Sequence, residues 1–106
     1  MSDSVLAELA CIIHQRRQQS SDKSYTRQLL DGGPERCAKK LGEEAVETII
    51  AGISQDDAAL RAEAADLLYH LLVLLEVRGV AIDDVLDILH QRMGTSGLEE
   101  KASRNS

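Results

Sequence analysis

Two pairs of acidic residues in the middle of the chain have the residue types and the spacing of a metal-binding site. Glu44 and Glu47 form the first pair, and Glu63 and Asp66 form the second. Residues three positions apart lie on one face of a helix, so each pair predicts two carboxylates side by side. Carboxylate oxygens are the ligands that hard divalent cations such as Mg²⁺ prefer. The four residues therefore form a candidate metal site, provided that their two helices face each other.

The segment between the two pairs predicts how the helices meet. Residues 52–57, with the sequence GISQDD, are typical of a turn. If the chain folds back there as an antiparallel helical hairpin centred near Gln55, residues equally far from Gln55 along the chain lie opposite one another. This register predicts three facing pairs: Glu44 with Asp66, Glu47 with Glu63, and Lys40 with His70.

The predicted helix that carries the second pair favours a bound metal over a solvated acidic face. Residues 67–77 are apolar almost all round, and such a helix must be buried on most sides. Glu63, Asp66 and His70 nevertheless share one narrow stripe of it. Carboxylates about 5 Å apart repel each other by roughly 3 kcal/mol per pair at an effective dielectric constant near 20. A divalent cation removes that repulsion; protonation, or a structural charge network with nearby lysines, is the alternative.

Basic residues precede the first acidic pair and could bind phosphate. The candidates for phosphate contacts are Arg36, Lys39 and Lys40, with Lys23 and Arg27 further upstream. Lys40 lies one helical turn before Glu44 and could contact a phosphate that the metal also holds. Ordinary ion pairs, Lys39 with Glu43 and Lys40 with Glu44, are the alternative. Both interpretations stay open for Lys40, whereas Lys39 points elsewhere and favours the structural one.

Two further residues lie close to the predicted site without being predicted ligands. Glu43 points about 100° away from Glu44 on the helix, so we expect it to be an outer ligand at best. His70 has three possible roles: a core histidine, a hydrogen-bond partner of Asp66, or a residue that supports the site.

Composition limits the fold and the class of function. The chain of 106 residues is 43% hydrophobic and has two Tyr, no Trp, no Phe and one Pro, which favours one small all-helical domain. The net charge of −6 argues against a general nucleic-acid binder. No apolar run is long enough to span a membrane, and no signal peptide is visible. Cys11 and Cys37 match no metal or redox spacing, so we expect free, partly buried thiols in a reducing cytoplasm.

Helical patterning predicts four to five helices built around the central hairpin. They cover about residues 3–18, 24–31, 34–53, 56–78 and 82–93, within a domain of residues 1–94. We expect residues 95–106, which are polar, to form a flexible tail. The apolar surface of residues 67–77 is too large for one chain to cover, so we expect a homodimer with a dimeric helical bundle at its centre.

Three segments resemble a known family. Residues 25–33 (YTRQLLDGG), 39–47 (KKLGEEAVE) and 63–73 (EAADLLYHLLV) are similar to those of phosphoribosyl-ATP pyrophosphohydrolases, in the all-α, MazG-like nucleoside triphosphate pyrophosphohydrolase superfamily. The resemblance extends over residues 5–93. The acidic pattern by itself indicates the superfamily, and the first and third segments are more specific to the family.

The resemblance implies a function and roles for the candidate residues. It implies Mg²⁺-dependent hydrolysis of phosphoribosyl-ATP to phosphoribosyl-AMP and pyrophosphate, the second step of histidine biosynthesis, in the cytoplasm. The metal would be held by the four acids of the two pairs, and Glu44 or Glu47 would take the proton of the attacking water. The next step would belong to a separate phosphoribosyl-AMP cyclohydrolase, to whose domain some relatives are fused.

Three other functions compete with this interpretation. A house-cleaning pyrophosphohydrolase for noncanonical nucleotides would share the acidic motif. A non-enzymatic helical adaptor would have its acids in ion pairs. A ferritin-like di-iron protein would need an acid three residues before a histidine, and Leu67 stands at that position relative to His70. The sequence therefore argues against the di-iron protein and leaves the other two as alternatives.

Overall fold

The computed structural model describes residues 4–94, and this part of the chain is all-α. It contains α1 (Val5–Gln15), a 3-10 turn (Arg16–Gln18), α2 (Tyr25–Asp31), α3 (Gly33–Ser54), α4 (Asp57–Arg78) and α5 (Ile82–Arg92). The predicted helical fold class is confirmed. Within residues 4–94, none of the helices has the length and apolar character needed to cross a membrane. The predicted flexible tail lies outside the described residues.

The central antiparallel hairpin of α3 and α4 is present, and its turn lies where the sequence predicts it. Asp56 caps α4, because its carboxylate accepts a hydrogen bond from the backbone N–H of Ala59 at 2.9 Å. Ser54 does not cap α4, although residues 54–57 resemble a capping box in sequence. Ser54 is still in α3, where its hydroxyl donates to the carbonyl oxygen of Ile50 at 2.9 Å.

Glycines and polar caps fix the other helix ends. Ser4 and Ser24 cap α1 and α2 through their hydroxyl oxygens. Gly33 has φ of 79° and Gly79 has φ of 71°, a left-handed conformation that favours glycine. Gly33 lets α3 begin directly after α2, and Gly79 ends α4 in the manner typical of a glycine that follows a helix.

The hydrophobic core lies at the end of the hairpin that is distant from its turn. There α1 and α2 pack against the second half of α4 and the first half of α3. The core residues are Ile13, Leu29, Leu30, Cys37, Leu72 and Val73. Both cysteines are free, as predicted, although Cys11 is exposed and only Cys37 is buried. This packing leaves the middle of the hairpin, where the acidic pairs lie, outside the core.

A large exposed apolar face lies on α3. Its residues are between 47% and 81% exposed and repeat at helical spacing: Val46, Ile49, Ile50 and Ile53. The sequence places the surface that needs covering on α4, within residues 67–77, but Leu72 and Val73 are buried in the core of the same chain. On α4 the exposed large residue is Leu68, at 44%. The homodimer therefore stays a prediction, with its apolar surface mainly on α3.

Candidate metal centre

Three of the four predicted carboxylates converge across the hairpin. One carboxylate oxygen from each of Glu44, Glu63 and Asp66 lies within 4.8 Å of the other two. Two oxygens bound to one Mg²⁺ lie up to about 4.2 Å apart, because each Mg–O distance is about 2.1 Å. Small side-chain rotations would therefore bring all three oxygens into the range of a single cation. The fold thus provides an acidic cluster that suits a divalent metal ion.

The hairpin register at this level is held by Thr48. Its hydroxyl oxygen lies 2.8 Å from the carbonyl oxygen of Glu44 in its own helix. It also lies 3.1 Å from the carbonyl oxygen of Glu63 in α4, so its single proton can be shared between two acceptors. Sequence reasoning missed this residue. The available signal was a hydroxyl residue directly after Glu47, the residue that faces Glu63 in the predicted register.

Glu47 lies beside the cluster and is exposed. It is not among the three residues whose oxygens converge, and it joins the site through Glu44. When one of the two carboxyl groups is protonated, Glu44 and Glu47 share a hydrogen bond. The role of Glu47 as a fourth ligand therefore stays a prediction, and its established effect is to raise the pKa of Glu44.

Burial and neighbouring negative charges disfavour the ionised form of Glu44. Its side chain is 16% exposed, and its Oε2 atom is buried without a hydrogen-bond donor within residues 4–94. The hydrogen bond with Glu47 is the largest cause that raises the pKa of Glu44 to about 7. Burial and the negative charges of Glu47, Asp66 and Glu63 act in the same direction. A bound cation would satisfy a buried carboxylate oxygen that accepts no hydrogen bond and has acidic neighbours, so these residues fit a divalent metal ion.

His70 is buried directly behind the cluster. It is 5% exposed, and its Nε2 atom lies 3.7 Å from Oε1 of Glu44. Burial lowers the pKa of His70, and the charge of Lys40 lowers it further, although nearby acids oppose the shift. No hydrogen bond between His70 and Asp66 occurs in the described part of the chain. Of the three roles left open by the sequence, the position of His70 against Glu44 favours that of a residue that supports the site.

Aromatic side chains enclose the His70 ring. The rings of Tyr69 and Tyr25 meet it edge-on, with centroids 4.9 Å and 6.2 Å away. The Tyr69 hydroxyl is bonded within the fold. That hydroxyl lies 2.6 Å from Oγ1 of Thr26, which is 4% exposed. This contact docks α2 on α4 beside the acidic cluster.

The predicted phosphate-binding residues share one open pocket next to the cluster. Arg36, Lys39, Lys40 and Glu43 line a cavity of about 340 Å³ on α3. Lys40 pairs with Glu43 at 3.1 Å, which is neither of the ion pairs proposed from the sequence. That hydrogen bond with Glu43 is the main cause that raises the pKa of Lys40. Because Glu43 takes the pairing role, Glu44 stays free to face the metal site.

Arg27 belongs to a different part of the structure from the phosphate candidates. Its guanidinium donates to the carbonyl oxygens of Arg17 at 2.7 Å and Gln19 at 2.8 Å. It also pairs with Asp31 at 2.9 Å within α2. Arg27 therefore closes the loop before α2, and the basic region near the cluster is the group on α3.

Comparison with known proteins identifies the family. A profile of the family described as phosphoribosyl-ATP pyrophosphohydrolase matches residues 6–93, most of the chain. The chain belongs to the phosphoribosyl-ATP pyrophosphohydrolase family. The prediction from the three sequence segments is therefore confirmed, and all three segments fall within the matched residues.

Three relatives illustrate the similarity. The chain is 58% identical to the phosphoribosyl-ATP pyrophosphatase of Nitrobacter winogradskyi, an alignment that covers 92% of this chain and 84% of that protein. It is 54% identical to the protein of the same name from Dinoroseobacter shibae, covering 95% and 99%. It is 51% identical to phosphoribosyl-ATP pyrophosphatase 1 of Rhodopseudomonas palustris, covering 98% and 97%. The similarity thus spans nearly the full length of the phosphoribosyl-ATP pyrophosphohydrolase relatives.

Proposed function

We propose that this chain hydrolyses phosphoribosyl-ATP to phosphoribosyl-AMP and pyrophosphate, the second step of histidine biosynthesis, in the cytoplasm. The observation that carries the proposal is the convergence of Glu44, Glu63 and Asp66 in a member of the phosphoribosyl-ATP pyrophosphohydrolase family. The product phosphoribosyl-AMP would pass to a phosphoribosyl-AMP cyclohydrolase, to which we propose a functional coupling.

Mg²⁺ is the ion that we propose for the acidic cluster, held by Glu44, Glu63 and Asp66, with Glu47 beside these ligands. All-oxygen ligation beside a phosphate-binding pocket suits Mg²⁺. When bound, the ion would offset the charge of the triphosphate and lower the pKa of a water molecule that attacks phosphorus.

Glu47 is the better placed of the two candidate general bases. A carboxylate that binds a cation is a poor proton acceptor, because the cation favours its ionised form. Glu44 points into the cluster, whereas Glu47 is exposed next to it and can receive a proton from water at the edge of the site. The shared hydrogen bond would then let Glu44 and Glu47 exchange that proton when the site is empty.

The cations on α3 would position the phosphate chain. Arg36, Lys39 and Lys40 line one cavity directly upstream of Glu44 on the same helix. A triphosphate that contacts both a cation held by the acidic cluster and this cavity would exchange the Lys40–Glu43 ion pair for a contact between Lys40 and phosphate. The acidic and basic groups would thereby hold the reacting phosphate in a fixed orientation, which is a large part of catalysis.

A substrate panel tests this function. We expect rapid pyrophosphate release from phosphoribosyl-ATP with Mg²⁺, little release from simple or noncanonical nucleoside triphosphates, and none with a chelator. Glu63→Gln should abolish most of the activity, whereas the charge-matched control Asp87→Asn, an exposed residue on α5, should retain it. Preference for noncanonical triphosphates would select the house-cleaning enzyme instead. Absence of any Mg²⁺-dependent turnover would refute both.

We also propose a homodimer whose interface includes the exposed apolar face of α3. Soluble monomers rarely expose a continuous apolar stripe such as residues 46–53. Replacing Ile50 by Lys should shift the protein towards a monomer in sedimentation experiments, because a charge would be buried in the interface. The control Val5→Lys, in an exposed position on α1, should leave the mass unchanged. A monomeric wild-type protein at micromolar concentration would refute the proposal.

A further inference from the structure

The chain has two aromatic side chains, and they have different surroundings. Tyr69 packs against the core, and its hydroxyl is bonded to the buried Thr26. Tyr25, the first residue of α2, is 48% exposed. The core contacts of α2 are made by other residues, Leu29 and Leu30 among them. The Tyr25 ring is therefore available for a contact outside the chain.

Tyr25 lies at the edge of the acidic cluster. Its ring meets the His70 ring edge-on at 6.2 Å and an angle of 85°. His70 in turn has its Nε2 atom 3.7 Å from the carboxylate of Glu44. The Tyr25 hydroxyl is also near enough to Lys40 to contribute to its raised pKa, after the contribution of Glu43. An exposed aromatic ring therefore adjoins both the carboxylates and the predicted phosphate contacts.

The backbone that carries Tyr25 is firmly held on both sides. Ser24, 3% exposed, caps α2 by accepting from the N–H of Arg27 at 3.1 Å. Thr26 is bonded to Tyr69 of α4 at 2.6 Å. Arg27 closes the preceding loop through the carbonyl oxygens of Arg17 and Gln19. A side chain presented from such a fixed segment loses little conformational entropy when it binds a ligand.

We propose that the ring of Tyr25 stacks on the nucleobase of the nucleotide substrate. This inference rests on the proposed function and names the part of the substrate that the acidic cluster cannot recognise. With the phosphates held between the cluster and the cations on α3, the base must lie one ribose away from them. Every base has a flat π face, and an exposed aromatic ring is the side chain that binds it most effectively.

ADP and inorganic pyrophosphate form a matched pair of probes, because both carry a diphosphate and only ADP carries adenosine. Their dissociation constants are measured by calorimetry with Mg²⁺ for the wild-type protein and for Tyr25→Ala. We expect the alanine variant to bind ADP roughly ten-fold more weakly, the loss of one stacked base. Its affinity for pyrophosphate should change by no more than about two-fold.

Two further variants separate the ring from the rest of the residue and from the helix. Tyr25→Phe, which keeps the ring, should bind ADP within about two-fold of the wild-type protein. Gln28→Ala removes the bond from the exposed Gln28 amide to the carbonyl oxygen of Ser21, so it loosens the same loop without touching the ring. It should keep the wild-type affinity for both probes, and thermal unfolding checks that every variant is folded.

Several results would overturn the inference. They are unchanged ADP affinity in Tyr25→Ala, an equal loss of ADP and pyrophosphate affinity, a Phe variant as weak as the Ala variant, or wild-type protein that binds pyrophosphate but not ADP. Failure of the proposed function would be seen in a different experiment, in which the wild-type protein would not release pyrophosphate from phosphoribosyl-ATP. The binding comparison does not depend on that turnover, so the two failures can be told apart.

Discussion

Metal-free protein should become less stable as the pH rises from about 5 to about 8, and Glu44 should be the main cause. The hydrogen bond with Glu47, burial and the neighbouring acids raise the pKa of Glu44 to about 7 in the folded protein from its ordinary value of 4.5. Between these two values the folded state binds more protons than the unfolded state. The free energy of unfolding therefore falls as the pH increases, which is the opposite of the usual behaviour of a salt-bridged carboxylate.

The size of the effect follows from the shift. Each pKa unit corresponds to about 1.4 kcal/mol, so a shift from 4.5 to about 7 lowers the free energy of unfolding by roughly 3 kcal/mol at a pH where Glu44 is ionised in both states. Most of this loss, roughly 2 to 3 kcal/mol, falls between pH 5 and pH 8. This is a large part of the roughly 5–15 kcal/mol that stabilises a typical domain.

Urea unfolding in the presence of a chelator measures this loss, with the protein concentration held constant because a dimer would couple stability to it. Glu44→Gln removes the titrating group, so the difference between wild type and variant isolates Glu44 from other titrations. The variant should be the more stable protein at pH 8 and nearly equal to wild type at pH 5. Adding Mg²⁺ should stabilise wild type more at pH 8 than at pH 5, because the ion binds the ionised form.

Parallel pH curves for wild type and Glu44→Gln would refute the reasoning. They would mean that Glu44 titrates at its ordinary pKa in the folded protein, and hence that the acidic cluster is more open to water than its burial indicates. The exposed acid Asp87 is the matched control, since Asp87→Asn should follow the wild-type curve.

The remaining predictions concern single residues of the site and its supports. Glu63→Gln should lower kcat/KM by at least about a hundred-fold and weaken Mg²⁺ binding measured by calorimetry, because one of the three convergent carboxylates loses its negative charge. Lys40→Ala should lower kcat/KM roughly ten-fold with little change in Mg²⁺ affinity. A loss below about three-fold would mean that Lys40 only forms an ion pair with Glu43 and does not contact the substrate. Thr48→Val should cost about 1 kcal/mol in urea unfolding, because the bond that joins α3 to α4 is removed. Arg17→Ala should destabilise the fold by about 1 kcal/mol, since its guanidinium holds both the carboxylate and the carbonyl oxygen of Glu76; an unchanged unfolding midpoint would contradict this.

The core of the candidate site could be predicted from the sequence because it depends on two periodic features. Helical spacing puts Glu63 and Asp66 on one face, and the position of the turn at Gln55 sets Glu44 opposite them. Both are properties of the backbone, so they hold whatever the side chains do. The observed convergence of these three residues follows from that register.

Side-chain pairing within the site was less predictable, for a physical reason. Lys40 has acids three and four residues away, at Glu43 and Glu44, and helical geometry permits both pairs. The structure selects Glu43, at 3.1 Å. Glu44 instead lies against His70 and the acids of α4, where its carboxylate is mostly buried. The choice of partner for Lys40 depends on which carboxylate is buried against α4, and a helical wheel of α3 alone does not show this.

The docking of α2 was the least predictable part, and it matters most for substrate recognition. Thr26 and Tyr69 are separated by 43 positions in the chain, and no periodic pattern relates them. Their hydrogen bond nevertheless brings Tyr25 to the ring of His70 and so to the edge of the acidic cluster. The residues that would hold metal and phosphate come from one hairpin and can be inferred from spacing. The base-recognising side chain, by contrast, comes from a separate short helix whose position is fixed only by tertiary contacts, so the chemistry of the site is easier to derive from the sequence than its specificity.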